Sequence, residues 1–195
     1  MIKLPEPDRL GKRRLEEVIN ERRSVREYAD SPLTIKEVSQ LLWAAQGVTS
    51  PNGKRTAPSA GATYPMEIYI IAGAVEGLEA GVYHYLPYEH SLELTTKGDL
   101  RKEIYEASLW QEMLIEAPLS IVIAAEYERT TKRYGKRGIR YVHMEAGHIG
   151  QNIYLEATAL GLGTVAVGAF DDKKVKNILK IQEEPLYIYP VGRRK

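Results

Sequence analysis

The segment from Arg137 to Leu160 is the longest helical candidate in this sequence, and it constrains the fold more than any other feature. Its apolar side chains recur every three or four residues, which is the period of one face of an α-helix. These apolar positions are Ile139, Val142, Ala146, Ile149, Ile153, Leu155, Ala157 and Leu160. Gly147 and Gly150 interrupt the segment, and each costs about 1 kcal/mol relative to alanine inside a helix. Both glycines are rationalised if another backbone packs closely, so a long central helix with a close neighbour is predicted.

Shorter helical and strand patterns flank this helix on both sides. Thr34 with Glu37 three residues later forms a capping box, which marks the start of a helix. The predicted helices cover about residues 9–22, 35–46, 99–108 and 172–179, and the predicted strands cover 66–72, 81–85, 92–95, 119–125, 164–167 and 186–191. No internal repeat or clear linker divides the 195 residues. A single α+β domain over residues 1–195 is therefore predicted, with an antiparallel or mixed sheet flanked by helices.

The composition excludes several chemistries. The chain has no cysteine, so disulfides, thiolate nucleophiles and iron–sulfur ligation by the protein are excluded, and any redox chemistry must come from a bound cofactor. His143 and His148 are five residues apart, whereas two metal ligands one helical turn apart need a spacing of four, so no metal site is predicted. Abundant Lys and Glu are typical of a thermophile.

The same features limit the partners. The charged N-terminus has no apolar core, and no apolar run approaches the length of a membrane span, so a cytoplasmic protein without a membrane partner is expected. The net charge is only +1, whereas proteins that bind nucleic acid usually show a large basic excess or a basic stripe. No nucleic-acid partner is therefore expected. The alternative is a small nucleic-acid-binding module that uses the basic residues of 12–26 and 132–140.

A basic pentad follows the first predicted helix at residues 22–26. Three arginines and one serine fall within five residues, and they are Arg22, Arg23, Ser24 and Arg26. Guanidinium groups donate paired hydrogen bonds to a phosphate, and the serine hydroxyl adds another donor. The pentad therefore indicates a phosphate site. The alternative is a solvated basic end of the helix, which is favourable to the helix dipole.

A long loop at residues 49–65 separates the second helix from the first predicted strand. At 17 residues it exceeds the usual length of a connection in a compact domain, and such loops are often functional. Small residues lie between its two last prolines, so main-chain N–H groups can approach a planar ring there. The alternative is an ordinary surface turn. The candidate contacts in this loop are Pro58, Ser59, Ala60 and Gly61.

Taken together, these segments resemble the nitroreductase family. The pentad resembles its opening signature, and residues 57–65 resemble its second flavin loop. Gln151-Asn152 falls in its long central helix, residues 161–171 resemble the strand beside the flavin, and residues 190–193 resemble its closing segment. The resemblance covers residues 15–194. The sequence Pro-Ser-Ala-Gly-Ala-Thr-Tyr-Pro at 58–65 is most similar to the SagB-type dehydrogenase branch.

The resemblance implies an FMN-dependent oxidoreductase with the α+β nitroreductase fold, working as a homodimer with its long central helix at the interface. It implies hydride transfer through flavin N5 in a ping-pong mechanism, with NADH or NADPH as electron donor and an organic acceptor of unknown identity. Each flavin is expected to be held by both chains. One protomer is expected to contribute Arg22, Arg23, Ser24, Arg26, Gly168 and Arg193, and the other Pro58, Ser59, Ala60 and Gly61. The further expected cofactor-binding residues are Gln151, Val167 and Ala169.

This sequence departs from the family pattern at three points. Many nitroreductases have Asn where Ala62 stands, and many have Glu-Gly where Gly168-Ala169 stands. The catalytic Lys-Tyr pair of the peptide-modifying dehydrogenases is not evident, so no catalytic side chain is assigned. Arg193 has its own alternative as part of a solvated C-terminal tail. The alternative for the whole chain is a flavin-binding protein on the same fold without NAD(P)H-driven turnover.

Overall fold

A seven-stranded antiparallel sheet forms the centre of the protein in the computed structural model, which describes residues 1–195. Its strand order is β1-β6-β5-β3-β7-β9-β8, and β2 and β4 form a separate parallel pair. The strands are β1 (Ile2–Lys3), β2 (Leu33–Thr34), β3 (Met66–Ala72), β4 (Val75–Glu76), β5 (Gly81–Leu86), β6 (Ser91–Lys97), β7 (Leu119–Ala125), β8 (Leu162–Thr164) and β9 (Glu184–Arg193). The helices are α1 (Leu15–Glu21), α2 (Ile35–Gln46), α3 (Arg101–Ala107), α4 (Met113–Glu116), α5 (Glu128–Tyr134), α6 (Arg137–Ala159) and α7 (Asp172–Leu179).

Helices cover both faces of the sheet, which is why β7 is buried along its whole length. Successive side chains of a strand point to opposite faces. Ile121 and Ile123 accordingly belong to the larger core with α2 and α6, whereas Val122 and Ala124 belong to the smaller core with α3, α4 and α7. The predicted α+β class and the flanked sheet are confirmed. None of the helices combines the length and the apolar character that crossing a membrane would require.

Strong local signals predicted the long helices correctly. Helix α2 begins at the predicted capping box, where Thr34 Oγ1 accepts from the Glu37 amide at 3.3 Å and Glu37 Oε2 accepts from the Thr34 amide at 2.8 Å. Helix α6 covers nearly the whole predicted segment. The reason for Gly150 differs from the prediction, because a Cβ there would overlap the Tyr189 hydroxyl of the same chain rather than a second backbone. Gly147 instead faces open space.

Weak local signals led to errors at several short segments. The first helix begins at Leu15 and not near residue 9 as predicted. Nearer the N-terminus, Ile2–Lys3 forms the unpredicted strand β1, which pairs with β6. Helix α5 was not predicted, since its polar sequence has no apolar period. Strand β8 ends at Thr164, and Val167 makes only an isolated pairing with Ile188 of β9. Each of these segments is short or polar, so its conformation depends on partners distant in sequence.

His90 ties three separate segments together. It is buried, with its Nε2 within 2.7 Å of Ser39 Oγ and 3.0 Å of the Pro5 carbonyl oxygen, and its Nδ1 within 2.9 Å of the Tyr85 hydroxyl. The Ser39 hydroxyl itself donates to Pro5. This network suits a neutral ring in which Nε2–H donates and Nδ1 accepts from the tyrosine.

Acidification is expected to destabilise the protein through His90. Burial lowers the pKa of His90 below its ordinary value, because a buried imidazolium loses its hydration. The stabilisation is therefore complete above the unfolded pKa of about 6.5 and is lost as the pH falls through the folded pKa. We expect the Tm of His90→Gln to fall less than that of the wild type between about pH 7 and pH 5. Equal slopes for the variant and the wild type would contradict this role of His90.

Candidate active site

The basic pentad leaves the end of α1 and runs alongside β8. The Val25 amide donates to the Thr164 carbonyl oxygen at 2.9 Å, and Ser24 pairs with Thr164 in parallel register. Val25 packs over Gly163, where a Cβ would overlap its side chain. This extended conformation turns Val25 inward and leaves Ser24 and Arg26 exposed. Arg23 turns back onto the helix end, where its guanidinium donates to the Asn20 and Arg22 carbonyl oxygens.

Tyr154 of α6 connects the pentad to the segment after β8. Its hydroxyl lies 2.9 Å from Ser24 Oγ and accepts from the Ala166 amide at 2.9 Å. The Arg22 guanidinium lies over its ring, 5.1 Å from the ring centre. Sequence patterns do not predict Tyr154 as a site residue. The available signal was its position three residues after Gln151, which places it about one turn further along α6.

The two arginines near the C-terminus make different contacts. Arg193 makes a paired ion contact with Glu37 at 3.0 and 3.2 Å, so its guanidinium is engaged at the start of α2. Arg194 donates from Nε to the Leu162 carbonyl oxygen at 3.0 Å. A shallow groove of about 490 Å³ is lined by Ser24, Val25, Arg26, Glu27, Arg194 and Lys195. The structure therefore brings Arg194, and not Arg193, to the groove beside the pentad.

Two main-chain N–H groups that make no hydrogen bond within the chain lie shortly after Ala166, the residue that Tyr154 contacts. Val167 exchanges hydrogen bonds with Ile188 at 2.8 and 2.9 Å, which fixes the segment against β9. The next residues, Gly168 and Ala169, are exposed, and their amides form no hydrogen bond within the chain. The Ala169 carbonyl oxygen accepts from the side chain of Gln111 at 2.9 Å. The predicted segment 167–169 is thus held rigidly with two N–H groups available to a ligand.

The 57–65 loop is held in a conformation that most residues avoid. Gly61, Ala62 and Tyr64 have φ angles of 61°, 53° and 43°, in the left-handed region. Helix α5 supports the loop from outside. Its contacts are Arg133 to the Gly61 carbonyl oxygen at 3.1 Å, Thr130 with Thr63 at 2.7 Å and Arg129 to the Tyr64 carbonyl oxygen at 3.1 Å. Pro58 and Gly61 remain exposed, whereas Ser59 and Ala60 are half-buried.

The two predicted halves of the site lie at different levels of α6. The pentad contacts Tyr154, whereas Ser59 of the loop faces Glu145. These positions on α6 are nine residues apart, which corresponds to about 14 Å along the helix axis. One chain therefore does not bring the pentad and the loop together.

Comparison with known proteins identifies the family to which this chain belongs. The model of the nitroreductase family matches residues 19–193, which is nearly the whole chain. The chain belongs to the nitroreductase family, whose membership indicates an oxidoreductase.

Individual relatives agree with this membership. A nitroreductase-like protein of Methanocaldococcus jannaschii is 53% identical over 193 residues, which cover 99% of this chain and 96% of that protein. A crystal structure of a nitroreductase-like protein from Anabaena variabilis is 31% identical with a TM-score of 0.88, covering 100% of this chain and 41% of the other. The microcin B17-processing protein McbC of Escherichia coli is 28% identical over 157 residues, covering 77% of this chain and 58% of McbC. The chain thus spans less than two thirds of the last two.

Proposed function

We propose that this protein is an FMN-dependent oxidoreductase that works as a homodimer. The observation that carries the proposal is a continuous series of contacts from Arg22 and Ser24 through Tyr154 to Ala166. It joins phosphate-binding side chains to the free amides of Gly168 and Ala169. A phosphate-bearing planar cofactor needs cationic donors at one end and main-chain donors at the other. This part of the chain supplies both.

The residues present fit FMN at each end. Arg22, Ser24 and Arg194 would donate to the phosphate and ribityl oxygens, and Arg26 would lie by the pyrimidine edge of the ring. At that edge a guanidinium would stabilise negative charge on the reduced ring system. The amides of Gly168 and Ala169 would orient the ring through its N5 and O4 edge. Bound FMN would supply hydride transfer from NADH or NADPH to an organic acceptor in two half-reactions.

Gln151, Val167 and Arg193 have less direct roles in this proposal. Gln151 is exposed one turn before Tyr154 on α6, where it could reach the ribityl chain. Val167 is buried and fixes the segment that presents the two amides. Arg193 stays paired with Glu37 and would bind a phosphate only after breaking that contact. We therefore assign the C-terminal phosphate contact to Arg194.

A two-fold dimer about the middle of α6 would complete the site. Glu145 and Tyr154 are equidistant from a point between positions 149 and 150. An antiparallel pair of α6 helices crossing there would place each chain's loop beside the partner's pentad. The exposed stripe of α6 includes Met144, Gly147 and Gln151, at helical spacing. Of these, the apolar Met144 and the small Gly147 suit close packing of two helices.

A second candidate reaction is oxidation of an organic ring within a modified peptide. It is favoured by the SagB-type sequence of residues 58–65 and by the similarity to McbC, which is named as a microcin-processing protein. In that reaction the organic substrate is the electron donor that reduces the flavin, and it no longer serves as the acceptor. The same cofactor site serves both reactions.

Absorption spectroscopy of the purified protein tests the proposal. We expect a flavin spectrum with two bands in the near-ultraviolet and blue, either as isolated or after reconstitution with FMN. Under anaerobic conditions, NADH or NADPH should bleach the blue band. Absence of the spectrum after reconstitution would overturn FMN binding. A flavin spectrum that neither nucleotide bleaches would favour either a flavin-binding protein without this turnover or the peptide-oxidising candidate, and a thiazoline-containing peptide would distinguish these two.

A further inference from the structure

A cluster of buried polar side chains lies beneath the 57–65 loop, between α2 and α6. Glu145 of α6 is 2% exposed, and Gln46 at the end of α2 is fully buried. The Glu145 carboxyl faces the Ser59 hydroxyl and the Gln46 amide, with the Arg55 guanidinium as the charged group acting on it. Three atoms of the cluster are buried without a hydrogen-bond partner, namely Glu145 Oε1, Gln46 Nε2 and Arg55 Nε. Such atoms are costly, because they have lost their hydration, so a purely structural site would favour apolar residues.

Two lines of contact lead from Glu145 to the same loop residue, Tyr64. In the first, Ser59 faces Glu145, and Ser59 Oγ accepts from the Tyr64 amide at 2.9 Å. In the second, Gln46 faces Glu145, and its Oε1 accepts from Arg55 Nη1 at 3.2 Å. Arg55 then contacts Tyr64 twice, with its guanidinium 4.7 Å from the ring centre and its amide donating to the hydroxyl at 3.2 Å. Glu145 therefore lies where both lines begin.

The loop needs support of this kind. Ala62 and Tyr64 have left-handed φ angles, which cost free energy for any residue with a Cβ. Strained backbone of this kind persists only where the surrounding structure holds it. Helix α5 holds the loop from outside, through Arg129, Thr130 and Arg133. The Glu145 cluster is the corresponding support from inside the protein.

We propose that Glu145 is a positioning residue for the cofactor-binding loop. Through Ser59 on one side, and Gln46 with Arg55 on the other, its carboxyl holds Pro58–Gly61 in the conformation presented to the cofactor. The identity of that cofactor as FMN rests on the proposed function, whereas the contacts to the loop exist within the single chain.

The protonation state of Glu145 should control this support. Burial raises the pKa of Glu145 to about 7, against the opposite effects of Ser59, Gln46 and Arg55. The ionised carboxylate attracts the Ser59 hydroxyl, the Gln46 amide and the Arg55 guanidinium that face it, whereas the neutral acid is uncharged and has less accepting capacity. Arg55 is the only charged side chain acting on the carboxyl, and Gln46 and Ser59, from α2 and the loop, are uncharged. Loop support, and with it FMN affinity, should therefore weaken as the pH falls through 7.

The test is the dissociation constant of FMN, measured by flavin fluorescence between pH 6 and pH 8. Glu145→Gln keeps the shape of the side chain but cannot titrate, and Glu145→Ala removes it. Glu156→Gln is the matched control, because Glu156 is another partly buried glutamate of α6 whose pKa burial also raises. The control also accounts for titration of the FMN phosphate itself, which occurs near pH 6. Each variant is first compared with the wild type by circular dichroism.

We expect the wild type and Glu156→Gln to lose several-fold more affinity on acidification than Glu145→Gln. Glu145→Ala should bind FMN about 10-fold more weakly than the wild type at pH 8, where Glu145 is ionised, the size of effect of one lost polar contact to a charged group, and this difference should shrink toward pH 6. The same pH profile in Glu145→Gln as in the wild type, or wild-type affinity in Glu145→Ala at pH 8, would overturn the proposal.

Hydrogen exchange distinguishes failure of this proposal from failure of the proposed function. If the wild type binds no FMN at any pH, the proposed function fails, but the loop can still be examined directly. The amides of residues 59–64 should then exchange faster in Glu145→Ala than in Glu156→Ala. Equal exchange in the two variants would overturn the positioning role of Glu145.

Discussion

Replacing Arg22 and Ser24 together with alanine is expected to weaken FMN binding by about 30-fold or more. This corresponds to roughly 2 kcal/mol, the loss of at least one charge-assisted contact to a phosphate. Both side chains also contact Tyr154, which in turn binds the Ala166 amide. The double variant should therefore lose direct donors and loosen the tyrosine that spans the site. The dissociation constant of FMN, measured by fluorescence titration, checks the expectation.

Arg14→Ala is the control for this double variant. Arg14 lies just before α1, is highly exposed and makes only a long contact with Glu16 at 3.8 Å. It should bind FMN as the wild type does. Both variants should unfold at temperatures close to the wild type, because Arg22 is only half-buried and Ser24 is exposed. Unchanged FMN affinity in a folded Arg22→Ala/Ser24→Ala protein would reject the phosphate site.

Placing a glutamate at Gly147 is expected to convert the protein from a dimer into a monomer that no longer retains FMN. A Cβ at Gly147 would meet nothing within 4 Å in the single chain, so the chain itself has room for a side chain. Glutamate also favours a helix interior over glycine by roughly 0.5–1 kcal/mol. In the proposed dimer, however, two carboxylates would meet near the two-fold axis between the α6 helices. Sedimentation and retained flavin absorbance measure the two consequences.

Gly147→Ala is the matched control at the same position, because a methyl group adds little bulk and no charge. We expect it to remain dimeric and to keep its flavin. Gly150 is unsuitable for this purpose, since any Cβ there would overlap Tyr189 within the same chain. A Gly147→Glu protein that sediments as a dimer with bound FMN would exclude the proposed use of α6 as the interface.

Local sequence signals predicted the parts of the fold that depend on near neighbours. Helix α2 follows from its capping box and apolar period, and α6 follows from its sustained period. Strand β7 follows from an apolar run that only a buried central strand can accommodate. The predictions of these elements are correct because the residues within each element specify both its periodicity and its ends. The polar α5 and the two-residue β1 carry no such signal and form through contacts with the loop and with β6.

The sequence by itself determined the family of this protein and the order of its candidate segments, because motifs such as the pentad and the loop are read within a few consecutive residues. Only the tertiary structure decided how those segments meet. It placed Tyr154 against Ser24 across 130 residues, engaged Arg193 with Glu37 and turned Arg194 toward the groove. It also buried Glu145 beneath the loop. Contacts between distant residues depend on how helices pack on the sheet, and no local spacing in the chain specifies that packing.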